Sequence, residues 1–144
     1  MNETKRSAKR SVKDSVLREI RNSVLIVEDN QIVAQIEEEV IKSLGVDVFV
    51  ARTGPEAVDI FIENMNKISV VILDFAIPGM HASQLVARLR GLKENLKLIL
   101  ASGYQEQDIF ADLSPHDVDG FIPKPFEIRT FVLMLNEAIQ ETRQ

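Results

Sequence analysis

The stretch Val70-Val71-Ile72-Leu73-Asp74 places a carboxylate directly after four consecutive β-forming residues. Two other stretches share this design: residues 24–29 read VLIVED and residues 121–125 read FIPKP. Each is predicted to be a strand that delivers a charged group at its C-terminal end. In a parallel sheet those ends line one edge, and open α/β folds bind ligands outside that edge. The sequence therefore predicts one small charged site built from distant parts of the chain.

The rest of the chain after residue 22 alternates short apolar runs with helical patterns, five times over. This alternation indicates repeated βα units and a parallel sheet. The predicted strands span residues 24–28, 46–51, 69–73, 96–101 and 118–122. The first helix is predicted from apolar residues at four-residue intervals, namely Ile32, Ile36, Val40 and Leu44, before Gly45. Further helices are expected over about 54–64, 82–90 and 105–113. The last helix is predicted from Ile128, Phe131, Val132, Leu135 and Ile139.

The composition is that of a globular protein. The 144 residues fit one domain, with 45% apolar and 27% charged residues. The chain has no cysteine, which excludes disulfides and thiolate chemistry. No apolar run is long enough to span a bilayer, and the N-terminus lacks the apolar core of a secretory signal. We therefore expect a cytoplasmic protein.

The net charge of −5 is unevenly distributed. Residues 1–22 carry seven Lys or Arg against three acids, so the remaining chain carries about −9. We expect residues 1–22 to be a basic extension or linker and residues 23–144 to be the folded domain. Val12, Val16 and Ile20 would share one face of a short helix in the extension. An acidic domain is a poor candidate for binding nucleic acid.

The charged groups at the predicted sheet edge form a plausible cation site. Glu28, Asp29 and Asp74 together would repel one another unless a hard cation and a lysine neutralised them. Asp29 and Asp74 are the expected direct Mg²⁺ ligands, with Glu28 acting through water. Lys124 lies between two prolines that stiffen its loop, and Ser102 ends strand four on the same edge. Taken singly, each has a structural alternative: a helix-capping pair, a surface lysine or a turn serine.

Four blocks of sequence are distinctive: residues 24–30 (VLIVEDN), 71–80 (VILDFAIPGM), 98–104 (LILASGY) and 120–126 (GFIPKPF). Together they resemble the response-regulator receiver domain of two-component signalling. The resemblance covers about residues 23–141 and implies a flavodoxin-like α/β sandwich with strand order 2-1-3-4-5. We expect either a single-domain regulator or a receiver from a longer protein, and the Ser-Gly-Tyr motif, which resembles that of receivers attached to hybrid histidine kinases, favours the latter.

The resemblance implies that Asp74 is the phosphoacceptor. It also implies that Glu28 and Asp29 hold Mg²⁺ or Mn²⁺ together with Asp74. Ala76 has no polar side chain, so its expected contribution to the metal is its backbone carbonyl. A receiver of this kind assists its own phosphorylation and dephosphorylation and is a signalling domain rather than an enzyme. Its implied phosphoryl donor is a histidine kinase or a histidine phosphotransfer protein.

Further roles follow from the same resemblance. Lys124 would grip the phosphoryl group, and the Lys124-Pro125 peptide would be cis. Ser102 would be the switch hydroxyl and Phe121 the aromatic switch residue. Phosphorylation would then repack the face made by helix four, strand five and helix five, which would contact a downstream protein or a second copy of the chain. Leu133, on the far side of the last helix, is a candidate for that surface.

The sequence contains one further departure from the family pattern, at Tyr104, and leaves two alternative functions open. Tyr104, two residues past Ser102, is bulky enough to shield an acyl phosphate, which predicts a long-lived phosphorylated form. One alternative is a degenerate receiver that binds partners without phosphate, although every key position is intact. The other is a haloacid-dehalogenase-type phosphatase, which would want an aspartate where this chain has Ala76. Nucleotide binding lacks support, because no glycine-rich phosphate motif is present.

Overall fold

The computed structural model describes residues 23–111 and 113–143. The proposed basic extension, with Val12, Val16 and Ile20, lies outside the described residues. Within the described residues no helix is both long and apolar enough to cross a membrane.

A five-stranded, fully parallel sheet forms the centre of the domain, in the order β2-β1-β3-β4-β5. This order confirms the predicted 2-1-3-4-5 topology. The central strands β1 and β3 are buried along their whole length, as expected for apolar runs in a sheet covered on both faces. The strands are β1 (Ser23–Val27), β2 (Val48–Ala51), β3 (Ile68–Asp74), β4 (Lys97–Ser102) and β5 (Gly120–Pro123).

Helices cover both faces of the sheet and make two separate cores. One core contains Phe61 of α2, Leu85 of α3 and Ile109 of α4. The other contains Ile41 of α1 and Phe131 of α5. The result is the predicted flavodoxin-like three-layer α/β sandwich. The helices are α1 (Gln31–Ser43), α2 (Gly54–Glu63), α3 (Ala82–Leu92), α4 (Glu106–Ile109) and α5 (Ile128–Arg143), with a 3₁₀ turn at Pro115–Asp117.

Local caps explain where the first two helices begin. The Asn30 side chain accepts hydrogen bonds from the backbone N–H groups of Ile32 and Val33, at 3.0 and 3.1 Å. Thr53 accepts from the N–H of Glu56 at 3.1 Å, but Glu56 accepts from the N–H of Arg52 rather than from that of Thr53. A capping box needs both reciprocal bonds, so only half of one is formed here.

The predicted apolar stripe of α1 is not its buried face. Ile32 is 71% exposed and Ile36 is 45% exposed. The residues of α1 that pack against the sheet are instead Ala34, Glu37 and Ile41. The four-residue interval predicted the helix correctly but not its rotation, because a four-residue step drifts around a helix of 3.6 residues per turn.

Several element boundaries also differ from the prediction. Helix α4 ends at Ile109 rather than near residue 113, so it is a single turn. Strand β5 begins at Gly120 rather than at residue 118. Just before it, the side chain of Asp119 accepts a hydrogen bond from the N–H of Leu98, at 2.8 Å. Helix α3 continues through Gly91 to Leu92, and β2 begins at Val48 rather than residue 46.

The start of α5 differs from the prediction in its packing. Ile128, predicted to be on the apolar face, is 55% exposed. Phe126, just before the helix, takes that place by stacking on Phe131, with ring centroids 5.1 Å apart. Leu133 is 57% exposed, as expected from its position opposite the apolar stripe.

Candidate functional site

Three carboxylates meet at the carboxyl edge of the sheet. Asp74 is the last residue of β3, and Glu28 and Asp29 directly follow the neighbouring strand β1, which pairs with β3 at Val27 and Leu73. One oxygen of each carboxylate lies within 4.8 Å of the others. Glu28 is 2% exposed and Asp74 is 8% exposed, whereas Asp29 is exposed.

Lys124 reaches this cluster from the loop after β5. Its Nζ atom lies 2.5 Å from Oε2 of Glu28 and 3.4 Å from Oδ2 of Asp74. The loop is held in place because the N–H of Lys124 donates to the carbonyl of Ser102, at 2.7 Å. The Lys124-Pro125 peptide is cis, as the resemblance implied. The structure thus brings together the acids and the lysine that the sequence predicted to meet.

The electrostatics of the cluster are unbalanced. Burial raises the pKa of Glu28; the hydrogen bond from Lys124 opposes that rise, and the charge of Asp74 adds to it. Burial acts to lower the pKa of Lys124, but the hydrogen bond to Glu28 and the charge of Asp74 outweigh it and raise this pKa overall. Lys124 therefore stays protonated, and in the part of the chain that the structure describes it is the one cation paired with this cluster of three acids.

The donor set fits a hard divalent cation. Mg²⁺ prefers carboxylate and carbonyl oxygens and keeps several waters, so two or three protein ligands suffice. The three clustered carboxylates supply such ligands, and Asp29 is open to solvent, which leaves room for water. The backbone N–H of Ala76 lies 3.4 Å from Oδ1 of Asp74, which keeps this residue beside the cluster. These observations fit the predicted Mg²⁺ site.

Ser102 and Phe121 lie next to the cluster rather than in it. Ser102 ends β4, is 1% exposed, and accepts a hydrogen bond from the N–H of Tyr104 at 2.9 Å. Phe121 is half-buried against Phe110 of the α4 region, with ring centroids 6.3 Å apart. Ser102 pairs with Pro123 in the ladder between β4 and β5, so both residues belong to strands that border the same edge.

Tyr104 lies beside a shallow cleft next to Asp74. Its ring is 59% exposed and makes an edge-to-face contact with Phe75, at 6.0 Å between centroids. A cleft of about 570 Å³ is lined by both aromatic residues and by Ala76. His81 also lines this cleft and is exposed, and no metal-binding cluster among the described residues includes it.

One buried acid was missed by sequence reasoning. Glu37 of α1 is 2% exposed, and its Oε2 atom has no hydrogen-bond partner among the described residues. The signal was present in the spacing, because Ala34, Glu37 and Ile41 follow the i, i+3, i+7 pattern of a buried helix face. The four-residue interval of Ile32 and Ile36 was the stronger apolar pattern, so the core position of Glu37 was overlooked.

Comparison with known proteins agrees with this geometry. The model of the response regulator receiver domain matches residues 24–136. The chain therefore belongs to the response regulator receiver domain family. It is 33% identical over 120 residues to sensor kinase CckA of Brucella abortus, which covers 83% of the chain but 13% of that kinase. It is 28% identical to sporulation initiation phosphotransferase F of Bacillus subtilis, over 76% of the chain and 86% of that protein.

Solved structures show the same fold. A receiver domain protein from Clostridium thermocellum superposes with a TM-score of 0.78 at 21% identity, covering 85% of the chain and 97% of that structure. The receiver domain of the hybrid histidine kinase CckA superposes with a TM-score of 0.69 at 27% identity, covering 81% of the chain and 98% of that structure. The chain spans a small part of the Brucella kinase but most of these isolated receiver domains.

Proposed function

We propose that this receiver domain accepts a phosphoryl group on Asp74 from a phosphohistidine of a histidine kinase or a histidine phosphotransfer protein. The observation that supports this role is the position of Asp74. It is a nearly buried carboxylate at a strand end, 3.4 Å from the ammonium of Lys124, in a cluster with Glu28 and Asp29. Relatives named as a sensor kinase and as a phosphotransferase are consistent with a place in a phosphorelay.

The chemistry follows from the groups present. An ionised oxygen of Asp74 attacks the phosphorus of the donor, so that an oxygen–phosphorus bond forms as the nitrogen–phosphorus bond breaks. The electron pair of the broken bond stays on the imidazole. Lys124 offsets charge on the transferred oxygens of the loose transition state. Mg²⁺ held by Glu28, Asp29, Asp74 and the carbonyl of Ala76 would supply further charge neutralisation.

The proposed switch begins at Ser102. In the described structure its Oγ accepts from the N–H of Tyr104, so its own hydrogen is available to a new acceptor. The acyl phosphate would present such acceptors, and rotation of Ser102 toward them would release the N–H of Tyr104. Phe121, half-buried against Phe110, would then turn inward and repack the surface of α4, β5 and α5.

The proposed partners are proteins. Ile32 and Ile36 are exposed apolar residues on α1, the helix that begins beside the acidic cluster. A phosphodonor protein that packs on this side would bring its histidine to Asp74. We place the downstream partner, or a second copy of the chain in a homodimer, on the face of α4, β5 and α5, where Leu133 is exposed. The proposed location is the cytoplasm, without nucleic acid or membrane as a ligand of the receiver.

Two alternatives make different predictions. A degenerate receiver would keep the fold and bind a partner without phosphate, but the complete set of Glu28, Asp29, Asp74, Ser102 and Lys124 favours the phosphorylated form. A phosphatase of the haloacid dehalogenase type would need a second acid two residues after the nucleophile. Ala76 occupies that position, so general acid catalysis from there is absent.

The test is phosphorylation with a small donor. Acetyl phosphate with Mg²⁺ should add one phosphoryl group, measured as a mass increase of the intact protein. Beryllofluoride with Mg²⁺ should shift the amide resonances of Asp74, Ser102 and Phe121. Both responses should vanish in Asp74→Asn and persist in Asp59→Asn, which alters an exposed acid of α2. Absence of both responses in the wild-type chain would favour the degenerate receiver.

A further inference from the structure

A buried acid lies on α1, the helix that begins two residues after the carboxylates of Glu28 and Asp29, and it does not belong to the carboxylate cluster. Glu37 occupies the sheet-facing side of α1 between Ala34 and Ile41, where a residue of a receiver core is expected to be apolar on packing grounds. It is 2% exposed, and its Oε2 atom is unpartnered among the described residues. Burying a polar group without a hydrogen bond is costly, so this residue reduces the stability of the fold. A buried residue that destabilises the fold is a candidate for a functional role.

The charges around Glu37 come from three elements of the site. Glu28 follows β1, Asp74 ends β3, and Lys124 lies in the loop after β5, and all three act electrostatically on the Glu37 carboxyl. The side chains of α5 in the same core, such as Phe131, are apolar. On α1 itself, the neighbouring Glu38 is half-buried and lies 3.6 Å from Lys42, turned away from the sheet.

Burial also decides the protonation state of this acid. It raises the pKa of Glu37 to about 8; the charge of Glu28 adds to the rise, Lys124 opposes it, and Asp74 adds to it. Near neutral pH the carboxyl is therefore mostly protonated. Within the described residues, no hydrogen bond or ion pair joins Glu37 to Glu28, Asp29 or Asp74, so its influence on them is electrostatic.

We propose that Glu37 is a positioning residue of the metal site, a fourth acid held out of the ligand sphere whose charge sets how strongly the cluster binds Mg²⁺. The inference rests on the Mg²⁺ site of the proposed function. When Glu37 is neutral, the cluster presents three carboxylates against one lysine. When Glu37 loses its proton to solvent, a further negative charge acts on Glu28 and Asp74 and would favour a bound cation. Mg²⁺ binding and proton release from Glu37 are then coupled, and the coupling is reciprocal.

The experiment measures Mg²⁺ binding by calorimetry without any phosphodonor. Wild type, Glu37→Gln and Glu39→Gln are compared at pH 6.5 and pH 9; Glu39 is an exposed acid of the same helix. Glutamine keeps the shape of the neutral acid, so Glu37→Gln should bind like the wild type at pH 6.5. From pH 6.5 to 9 the wild-type affinity should increase about fivefold more than that of Glu37→Gln, the low end of typical couplings. Glu39→Gln should follow the wild type.

Proton release gives a second readout that a purely structural role would not change. In buffers of different ionisation enthalpy at pH 7.5, the wild type should release more protons per Mg²⁺ than Glu37→Gln does. Contributions from Glu28 and Lys124 are common to both proteins and cancel in the comparison. If Glu37→Gln does not fold, Glu37→Leu replaces it, because an apolar side chain suits this core and should raise the melting temperature.

The outcomes separate this inference from the proposed function. Equal pH profiles and equal proton release in wild type and Glu37→Gln would overturn the inference, even if acetyl phosphate labels Asp74. A Glu37-dependent pH profile would support it, even if no phosphoryl group is transferred. Failure of the wild type to bind Mg²⁺ at either pH would also overturn it.

Discussion

The two edges of the sheet both gather charged side chains, but they balance those charges differently. At the amino edge, a cleft of about 750 Å³ is lined by three cations and three acids. Arg90 lies 2.8 Å from Asp119, and Lys97 lies 2.9 Å from Glu141. Lys93 donates to the carbonyls of Met65 and Ile68, at 3.0 and 2.8 Å. The lining of that cleft comprises, besides uncharged residues, Arg90, Lys93 and Lys97 with Glu94, Asp119 and Glu141.

The carboxyl edge lacks this balance. Within residues 23–111 and 113–143, Lys124 is the only cation that pairs with this cluster, through Glu28 and Asp74, so the three carboxylates keep an excess of negative charge. The paired charges of the amino edge neutralise one another and stabilise the fold. The carboxylate cluster of the carboxyl edge keeps negative charge that a bound cation would neutralise. The size of the cleft is therefore a poor guide to function in this domain, because the larger amino-edge cleft has the charges already neutralised. Four sets of variants test the distinction between a stabilising amino edge and a cation-binding carboxyl edge, in order of decreasing expected effect.

Loss of the Lys124 ammonium at the carboxyl edge should have the largest effect. Lys124→Met should slow phosphorylation of Asp74 by acetyl phosphate about a hundredfold, because a charged donor to the transferred oxygens is removed. The matched control is Lys97→Met at the amino edge, which should keep the wild-type rate. The rate is measured by quenched reaction and intact mass. An unchanged rate in Lys124→Met would contradict the proposed role.

Loss of a cation at the amino edge should reduce stability instead. Arg90 donates to the carbonyls of Asp117 and Leu96 as well as to Asp119. Arg90→Met removes these hydrogen bonds and, within the described residues, leaves the Asp119 carboxylate with only its bond from the N–H of Leu98 and its ion pair with Lys97. The free energy of unfolding should fall by about 2 kcal/mol. Urea denaturation measures this change in the free energy of unfolding.

The control for this prediction lies on the same helix. Arg88 of α3 is exposed, so Arg88→Met should leave the free energy of unfolding nearly unchanged. Mg²⁺ affinity should be the same in both variants and in the wild type. A loss of Mg²⁺ binding in an Arg90→Met protein that is fully folded would mean that the amino and carboxyl edges of the sheet are coupled.

Removing one acid from the excess should weaken cation binding without harming the fold. Asp29→Asn should reduce Mg²⁺ affinity about tenfold, because ligand charge sets the affinity of such sites. Without Mg²⁺ its melting temperature should not fall, since one of three mutually repelling carboxylates is gone. Calorimetry and thermal melting check the two effects, with Asp59→Asn as the control. A tenfold loss of affinity in the control as well would mean that general surface charge, rather than this cluster, attracts the cation.

The smallest expected effect concerns water access to the acyl phosphate. Tyr104 packs on Phe75 beside the cleft next to Asp74, but much of its ring is exposed, so it is a partial shield. Tyr104→Ala should lose phosphate about threefold faster than the wild type. Tyr104→Phe should keep the wild-type lifetime, because the ring rather than the hydroxyl does the shielding. Equal lifetimes in all three proteins would show that Tyr104 has no protective role.

Sequence reasoning was most successful at strand ends. Because side chains after a buried parallel strand emerge at one edge, the apolar runs before Glu28 and Asp74 were enough to predict their meeting. The same reasoning predicted Lys124 at that edge, and the structure confirms both the contact and the cis peptide that follows it. The functional roles of these residues remain predictions.

Sequence reasoning was least successful where packing decides which of several apolar residues is buried. The rotation of α1 could not be fixed from its isoleucines, since two overlapping spacings exist and only the sheet surface selects one. The start of α5 was misjudged for a similar reason, because Phe126 outside the helix competes with Ile128 for the same core position.

The sequence by itself determined the order of strands and helices, the family, and the set of acids and lysine that meet at the carboxyl edge. The order of the elements and the meeting of the charged groups follow from local periodicity and from the geometry of parallel sheets. The family follows from the resemblance of four sequence blocks, and the family comparison confirms it. Only the tertiary structure decided which face of α1 is buried, and hence that Glu37 is a buried acid. The physical reason is that burial and charge balance depend on distances between elements, which a linear pattern does not contain.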